Sequence, residues 1–312
     1  MDTSIKLQEL FGDRLLKNAD ISPLTTLKMP ASAEYFVRVE SDEDWKKMGT
    51  LISQLDIPLT VLGGGSNIAI ITNQVKGLVI KNATMYTRVI KETDTCVDIE
   101  VSSGYPMGKL VKEMGEAGWQ GFEYHLGLPG TLGGAIVMNS KWMKPVSFVS
   151  DTLTSASILT REGHIKTVGR EYFAFSYGFS NLQKTGEILI SAVFHLAKED
   201  PEILKQRSQE ALNYRKQTQP FGVHTAGCFF KNISDNEKES HNLQSKSAGF
   251  LIDQVGMKGV REGGFTVSDI HANFIINDGT GTREELQTLL AKIKGRVYDK
   301  WGLELKEEVQ KL

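Results

Sequence analysis

The chain reads as an α+β protein of about two domains, and three observations predict this. Helix and strand signals alternate through the first two-thirds, a mostly polar helical stretch near residues 201–217 follows, and the loop-rich remainder closes on one long amphipathic helix. A length of 312 residues is enough for two cores of ordinary size. The expected boundary falls after residue 198.

The elements follow in chain order. In SDEDWKKMGTLISQL, Ser41 is the expected N-cap and acidic residues fill the first turn, with Trp45, Met48, Ile52 and Leu55 on one face. The strand-like IPLTVL runs directly into GGGSN. GLVIK is a further strand, and in TCVDIEVSSG the residues Val97, Ile99 and Val101 alternate with Cys96, Asp98 and Glu100, as in a half-exposed strand. PMGKLVKEMGEAG predicts a helix with Pro106 at its first position and Met107, Leu110, Val111 and Met114 buried. TLTSASILT and EILISAVFHLA are strands, and PEILKQRSQEALNYRKQ is a linker helix opened by Pro201. SAGFLIDQV is a short helix and HANFIIN a strand. Thr282 and Glu285 form a capping box, ahead of a helix that buries Leu286, Leu289, Leu290, Ile293 and Val297.

Charge is nearly balanced, 36 basic against 38 acidic residues, with no block of one sign. That leaves no footprint for nucleic acid or an anionic membrane, and small-molecule chemistry is expected. No window approaches the apolar length of a membrane span, and the N-terminal stretch lacks the basic and apolar regions of a leader. Two cysteines, Cys96 and Cys228, are too few and too far apart for a disulfide framework or a CxxC metal site, which fits a reducing cytoplasm. No metal is expected.

Two glycine-rich stretches suggest phosphate. They are LGGGSN (Leu62, Gly63, Gly64, Gly65, Ser66, Asn67) and GLPGTLGGA, which includes Gly127, Pro129, Gly130, Thr131, Gly133 and Gly134. Glycine permits positive φ and lets backbone N–H groups approach an anion. Neither stretch is a GxGxxG fingerprint, because Ile68 stands where the third glycine would be, and neither is a Walker loop. One such loop could be an ordinary tight turn; two in one region argue for a ligand.

Taken together, LGGGSN, GFEYHLGLPGTLGGAIVMN, AGCFFKN, SAGFLIDQVGMKG, VSDIHANFIIN and LELKEEV resemble, in order and spacing, the UDP-N-acetylenolpyruvoylglucosamine reductase family over nearly the whole chain. The resemblance implies an FAD-binding domain of the vanillyl-alcohol-oxidase type over 1–198, in lobes 1–70 and 71–198. A C-terminal α+β domain, 199–312, would bind the substrate, its last residues returning towards the active site. It implies that Gly63–Asn67 and Gly130–Gly134 cradle the FAD pyrophosphate, with Asn139 nearby. It also implies that NADPH reduces the flavin, which in turn reduces the enolpyruvyl ether of a UDP-sugar to UDP-N-acetylmuramate.

On its own Cys228 reads as a small buried hydrophobe between phenylalanines. On the family pattern it is the proton donor to carbon, a task suited to a thiol with an ordinary pKa of about 8.5. Glu308, which alone would read as a solvated carboxylate, corresponds to the family's acidic residue that stabilises the enolate. Lys216 and Asn232 match substrate contacts. His271 and Ser268 read as structural.

Two departures stand out. Relatives carry FSYRxS, whose arginine binds the substrate carboxylate, whereas this chain has Gly178 there, with Lys184 the nearest cation in sequence. SKWMKP, Ser140–Pro145, replaces small residues, so Lys141 or Trp142 could reshape the substrate side. Three functions are therefore weighed: the family reductase acting as a cytoplasmic monomer, a flavin oxidoreductase with another substrate, and a UDP-sugar-binding homologue that has lost catalysis.

Overall fold

A computed structural model of the chain describes residues 3–54 and 57–312. Helices and strands are mixed throughout, as expected for α+β. Backbone packing groups the chain into two compact units that are not contiguous in sequence. The first contains 1–19, 33–64 and 76–215, and the second contains 20–32, 65–75 and 216–312. The division therefore does not follow the single boundary expected after residue 198. It crosses the first glycine loop between Gly64 and Gly65.

The first unit has two cores. One lies against a four-stranded sheet in which Leu59–Leu62 pairs in parallel with Gln74–Asn82, Leu62 opposite Lys81. Helix Asp42–Ile52 covers this sheet with Trp45, Met48, Leu51 and Ile52, and the Ser41 hydroxyl accepts from the Asp44 N–H as its N-cap. Leu55, expected on the same face, lies outside the described residues. The other core is built on a larger antiparallel sheet whose centre is Ile188–Lys198, flanked by Leu153–Leu159 and Cys96–Ser102. Helix Met107–Glu116 packs its expected stripe there. Pro106 precedes that helix as its N-cap, with extended ψ, and is not its first residue.

Helix Pro201–Thr218 is more than a linker: Leu204, Ser208, Ala211 and Arg215 form a buried stripe, and most of the helix belongs to the first unit. Trp142 and its neighbours form a hairpin, Lys141–Met143 with Val146–Phe148, joined through a cis Lys144–Pro145 bond.

In the second unit, helix Arg283–Trp301 opens on the Thr282–Glu285 capping box and buries the five apolar residues read from the sequence. It packs on a short three-stranded sheet, Arg261–Glu262, Phe265–Val267 and Ile275–Asn277. Leu27 and Met29 join this core, and Asn277 Nδ2 donates to the Leu27 carbonyl at 2.9 Å. Residues 20–32 are thereby fixed to a segment about 250 positions away.

Candidate active site

The first unit presents a glycine cradle. A Cβ on Gly64 would stand 2.3 Å from the Gly130 Cα, and one on Gly63 would stand 2.4 Å from Thr131 Oγ1. No side chain fits between the two loops, so the sequence needs glycine here for close approach. Thr131 is almost fully buried, and its hydroxyl has no hydrogen-bond partner among the described residues. A buried hydroxyl left unpaired costs free energy, and a polar ligand would satisfy it. Gly134 opens onto empty space, with nothing within 4 Å of its Cβ position. The Gly127 and Gly130 backbones take positive φ, 83° and 106°.

Other members of the predicted set are used for packing. Leu62 is fully buried at the strand end. The Gly133 N–H donates to the Ser103 carbonyl at 2.7 Å, and a Cβ there would meet the same oxygen. Asn139, buried with φ 43°, accepts from Ser150 Oγ at 2.6 Å and donates to the Ser176 carbonyl at 3.1 Å, so its side chain shapes the turn. Ser103 is not marked by any sequence motif. It also donates to the Leu189 carbonyl and accepts from Asn82, which ties the second loop to the sheet.

Gly178 lies in a tight turn closed by the reciprocal Ser176 and Phe179 backbone bonds, with φ 62°. Lys184, the nearest cation in sequence, holds its ammonium over the Phe179 ring, 5.1 Å from the centroid. Trp142 is buried beneath the Arg215 guanidinium, with its Nε1 donating to the Lys144 carbonyl. It fills the hairpin's own packing, while Lys141 lies over Phe148.

Cys228 and Glu308 both lie in the second unit. Residues 228–231 run between two neighbours: Cys228 pairs with Phe274, and Phe230 pairs with Glu307. Asn273 receives the Phe230 N–H on Oδ1 and donates Nδ2 to the Phe230 carbonyl, clamping the segment. Phe229 and Phe230 are core residues, whereas Cys228 is partly exposed. The Glu308 N–H donates to the Phe229 carbonyl at 2.8 Å, so the backbone holds Cys228 and Glu308 on adjacent segments.

The two neighbouring glutamates differ in character. Glu307 is ion-paired with Lys294 and Lys311, which hold its carboxyl below the usual range. Glu308 has no ion pair among the described residues. Burial pushes its carboxyl up to about 7, only partly offset by Lys231.

Asn67, the last residue of the first glycine loop, donates Nδ2 to the Glu308 carbonyl at 3.4 Å and accepts from the Gln310 N–H at 3.0 Å. Gly65, at φ 65°, packs against the Leu24 carbonyl. Asn232 Oδ1 accepts from the Ala248 N–H at the start of helix Ala248–Gln254, which leaves its amide nitrogen for other work. Lys216 is exposed and has no ion pair among the described residues. His271 accepts on Nδ1 from the Asn273 N–H, and Ser268 Oγ caps the same turn, in keeping with structural roles. Among the described residues no cluster of three His, Cys, Asp or Glu could hold a metal. Nor, among the described residues, is any helix long and apolar enough to cross a membrane.

The chain matches the family model of the UDP-N-acetylenolpyruvoylglucosamine reductase C-terminal domain over residues 219–312, and an FAD-binding domain model over 33–169. It is 32% identical over 302 residues to the UDP-N-acetylenolpyruvoylglucosamine reductase of Acaryochloris marina, covering 95% of this chain and 94% of the relative. Identity to the Bacillus subtilis reductase of the same name is 30% over 306 residues, covering 98% and 96%. The chain belongs to the UDP-N-acetylenolpyruvoylglucosamine reductase family. The crystal structure of the Thermus caldophilus reductase superposes with a TM-score of 0.77 at 28% identity, covering 95% of this chain and 97% of that one. Within this family the glycine cradle, with its unsatisfied Thr131 hydroxyl, fits the diphosphate of FAD.

Proposed function

We propose that this chain reduces the enolpyruvyl double bond of UDP-N-acetylglucosamine enolpyruvate to give UDP-N-acetylmuramate, a peptidoglycan precursor, using FAD and NADPH. The observation that carries the reading is the pairing of the Cys228 segment with the tail that bears Glu308, a carboxyl raised to about 7 by burial.

Gly63, Gly64, Gly130, Thr131 and Gly134 would hold the cofactor. Bound FAD would supply the redox step, taking two electrons from NADPH and passing them with a proton to one carbon of the double bond. The remaining work falls to side chains. The substrate is left as an enolate, with charge on its carboxylate oxygens. At neutral pH a carboxyl of pKa about 7 keeps its proton in roughly half the molecules, so Glu308 can donate a hydrogen bond to that charge. The Cys228 thiol gives its proton to the other carbon, and the thiolate is reprotonated from solvent. Lys216 and the Asn232 amide bind the UDP-sugar.

Gly178 favours a second reading, a homologue with weakened turnover, because no guanidinium stands at that position. Loss of such an electrostatic stabiliser typically lowers the rate by on the order of 100-fold.

The test is direct. The purified protein is expected to carry or take up FAD, and to oxidise NADPH only when the enolpyruvyl sugar is present. A protein that cannot be reconstituted with FAD overturns the proposal, and turnover of about 1 per second or faster removes the second reading. We further propose that it acts as a monomer in the cytoplasm; elution at a dimer's volume in size-exclusion chromatography would contradict the first part.

A further inference from the structure

Lys81 is the penultimate residue of strand Gln74–Asn82, opposite Leu62 in the parallel ladder and therefore beside the start of the first glycine loop. Its ammonium donates to the Gly63 carbonyl. Among the described residues it has no carboxylate partner, and it lies partly buried near the like charge of Arg38, which together with burial makes its charged form harder to hold. A partly buried cation fixed on a neutral carbonyl, with no carboxylate partner among the described residues, is a costly arrangement for stability alone.

The peptide geometry says what it achieves. The Gly63–Gly64 bond is trans, so the Gly63 carbonyl and the Gly64 N–H point in opposite directions across one plane. Pinning the carbonyl on Lys81 turns the Gly64 N–H away from Lys81. On another side of the same residue, Gly63 faces the buried and unpaired Thr131 hydroxyl, and Gly64 faces Gly130. Glycine at both positions gives this peptide wide conformational freedom, and the Lys81 bond restricts it from one side.

We infer that Lys81 is a positioning residue for cofactor binding, holding the Gly63–Gly64 peptide in the orientation that offers its N–H to the flavin diphosphate. The inference rests on the flavin reading above. Its positive charge, close behind the loop, adds attraction for the same anion.

The experiment measures FAD binding to flavin-free protein by quenching of flavin fluorescence, for the native chain, Lys81→Met and Lys81→Arg. Lys81→Met keeps the apolar stem and removes the donor, and FAD affinity should fall by about ten-fold or more. Lys81→Arg, which retains a cationic donor, should recover most of that loss. The melting temperature of flavin-free Lys81→Met should equal or exceed that of the flavin-free native chain, since the variant removes a desolvated cation that has no counter-ion among the described residues. Native-like affinity in Lys81→Met overturns the inference. So does equal loss in both variants, which would show that a cationic donor at this position is not what supports binding. A native chain that takes up no FAD would instead overturn the flavin reading itself.

Discussion

The Cα of Gly130 stands 2.3 Å from where a Cβ on Gly64 would be. Contact with a backbone atom gives no flexible side chain that could move aside. Gly64→Ala should therefore separate the loops, costing about 1–3 kcal/mol of stability, and weaken FAD binding together with it. Gly134→Ala makes the informative contrast. Its Cβ meets nothing and it lies within helix Leu132–Val137, so the flavin-free protein should be unchanged or stabilised by up to about 1 kcal/mol. If the flavin fills the space beside it, affinity falls even so. Thermal melts and FAD titrations of the two variants separate the cases, and undiminished affinity in Gly134→Ala would place the flavin elsewhere.

Cys228→Ala should leave flavin binding and reduction by NADPH nearly intact, because neither uses the thiol, while reoxidation by the enolpyruvyl sugar slows by about 100-fold or more. Cys228→Ser should keep much of the rate. A packing role predicts the reverse order: alanine would retain the chemistry, and serine, burying an extra hydroxyl, would lose more stability. Stopped-flow traces of the two half-reactions decide it.

Glu308 makes the protein sensitive to pH between about 4.5 and 7. Its folded pKa is raised by burial, so across that window the native state holds a proton that the unfolded state releases. Stability from this group is therefore present below about pH 4.5 and is lost as pH rises towards 7, by roughly 1–3 kcal/mol given its partial exposure. Glu308→Gln removes the titration. Its melting temperature should exceed that of the native chain at pH 8 and converge with it near pH 5. Turnover should decline above pH 7 in the native chain and show no such decline in the variant, whose rate is lower throughout.

Restoring the family's arginine by Gly178→Arg should fail to raise turnover. The φ of 62° costs an L side chain about 1–2 kcal/mol, so the variant pays in stability or reshapes the Ser176–Phe179 turn. A melting temperature lowered by a few degrees with no gain in rate is the expected result. A rise of ten-fold or more would show that the turn readily accepts a guanidinium.

Local order was legible in the sequence, and long-range pairing was not. The Thr282–Glu285 capping box, the stripe of helix Arg283–Trp301 and the Ser41 cap depend on residues three or four apart, and each forms as its spacing implied. The stripe of helix Pro201–Thr218 includes Ser208 and Arg215, so hydrophobicity alone made it look like a solvated linker. Segments 20–32 and 65–75 join the second unit through partners more than 200 residues away, which leaves no periodic mark on either segment. The resemblance named Cys228 and Glu308, but only the fold shows that Glu307 is ion-paired while Glu308 lacks such a partner. Lys81 falls within the GLVIK strand signal, and periodicity does not show that this strand lies beside the glycine loop.

The pairing of Gln310–Lys311 with Ile68–Ala69 has a consequence for biosynthesis. A ribosome adding about 5–20 residues per second needs roughly 12–50 s to travel from the first of these strands to the second. Throughout that interval the stretch beginning at Gly65 has emerged without the tail that will cover its edge. The two strands can meet only once the later one has been made, so until then the growing chain depends on its surroundings to keep that early edge from pairing with another molecule.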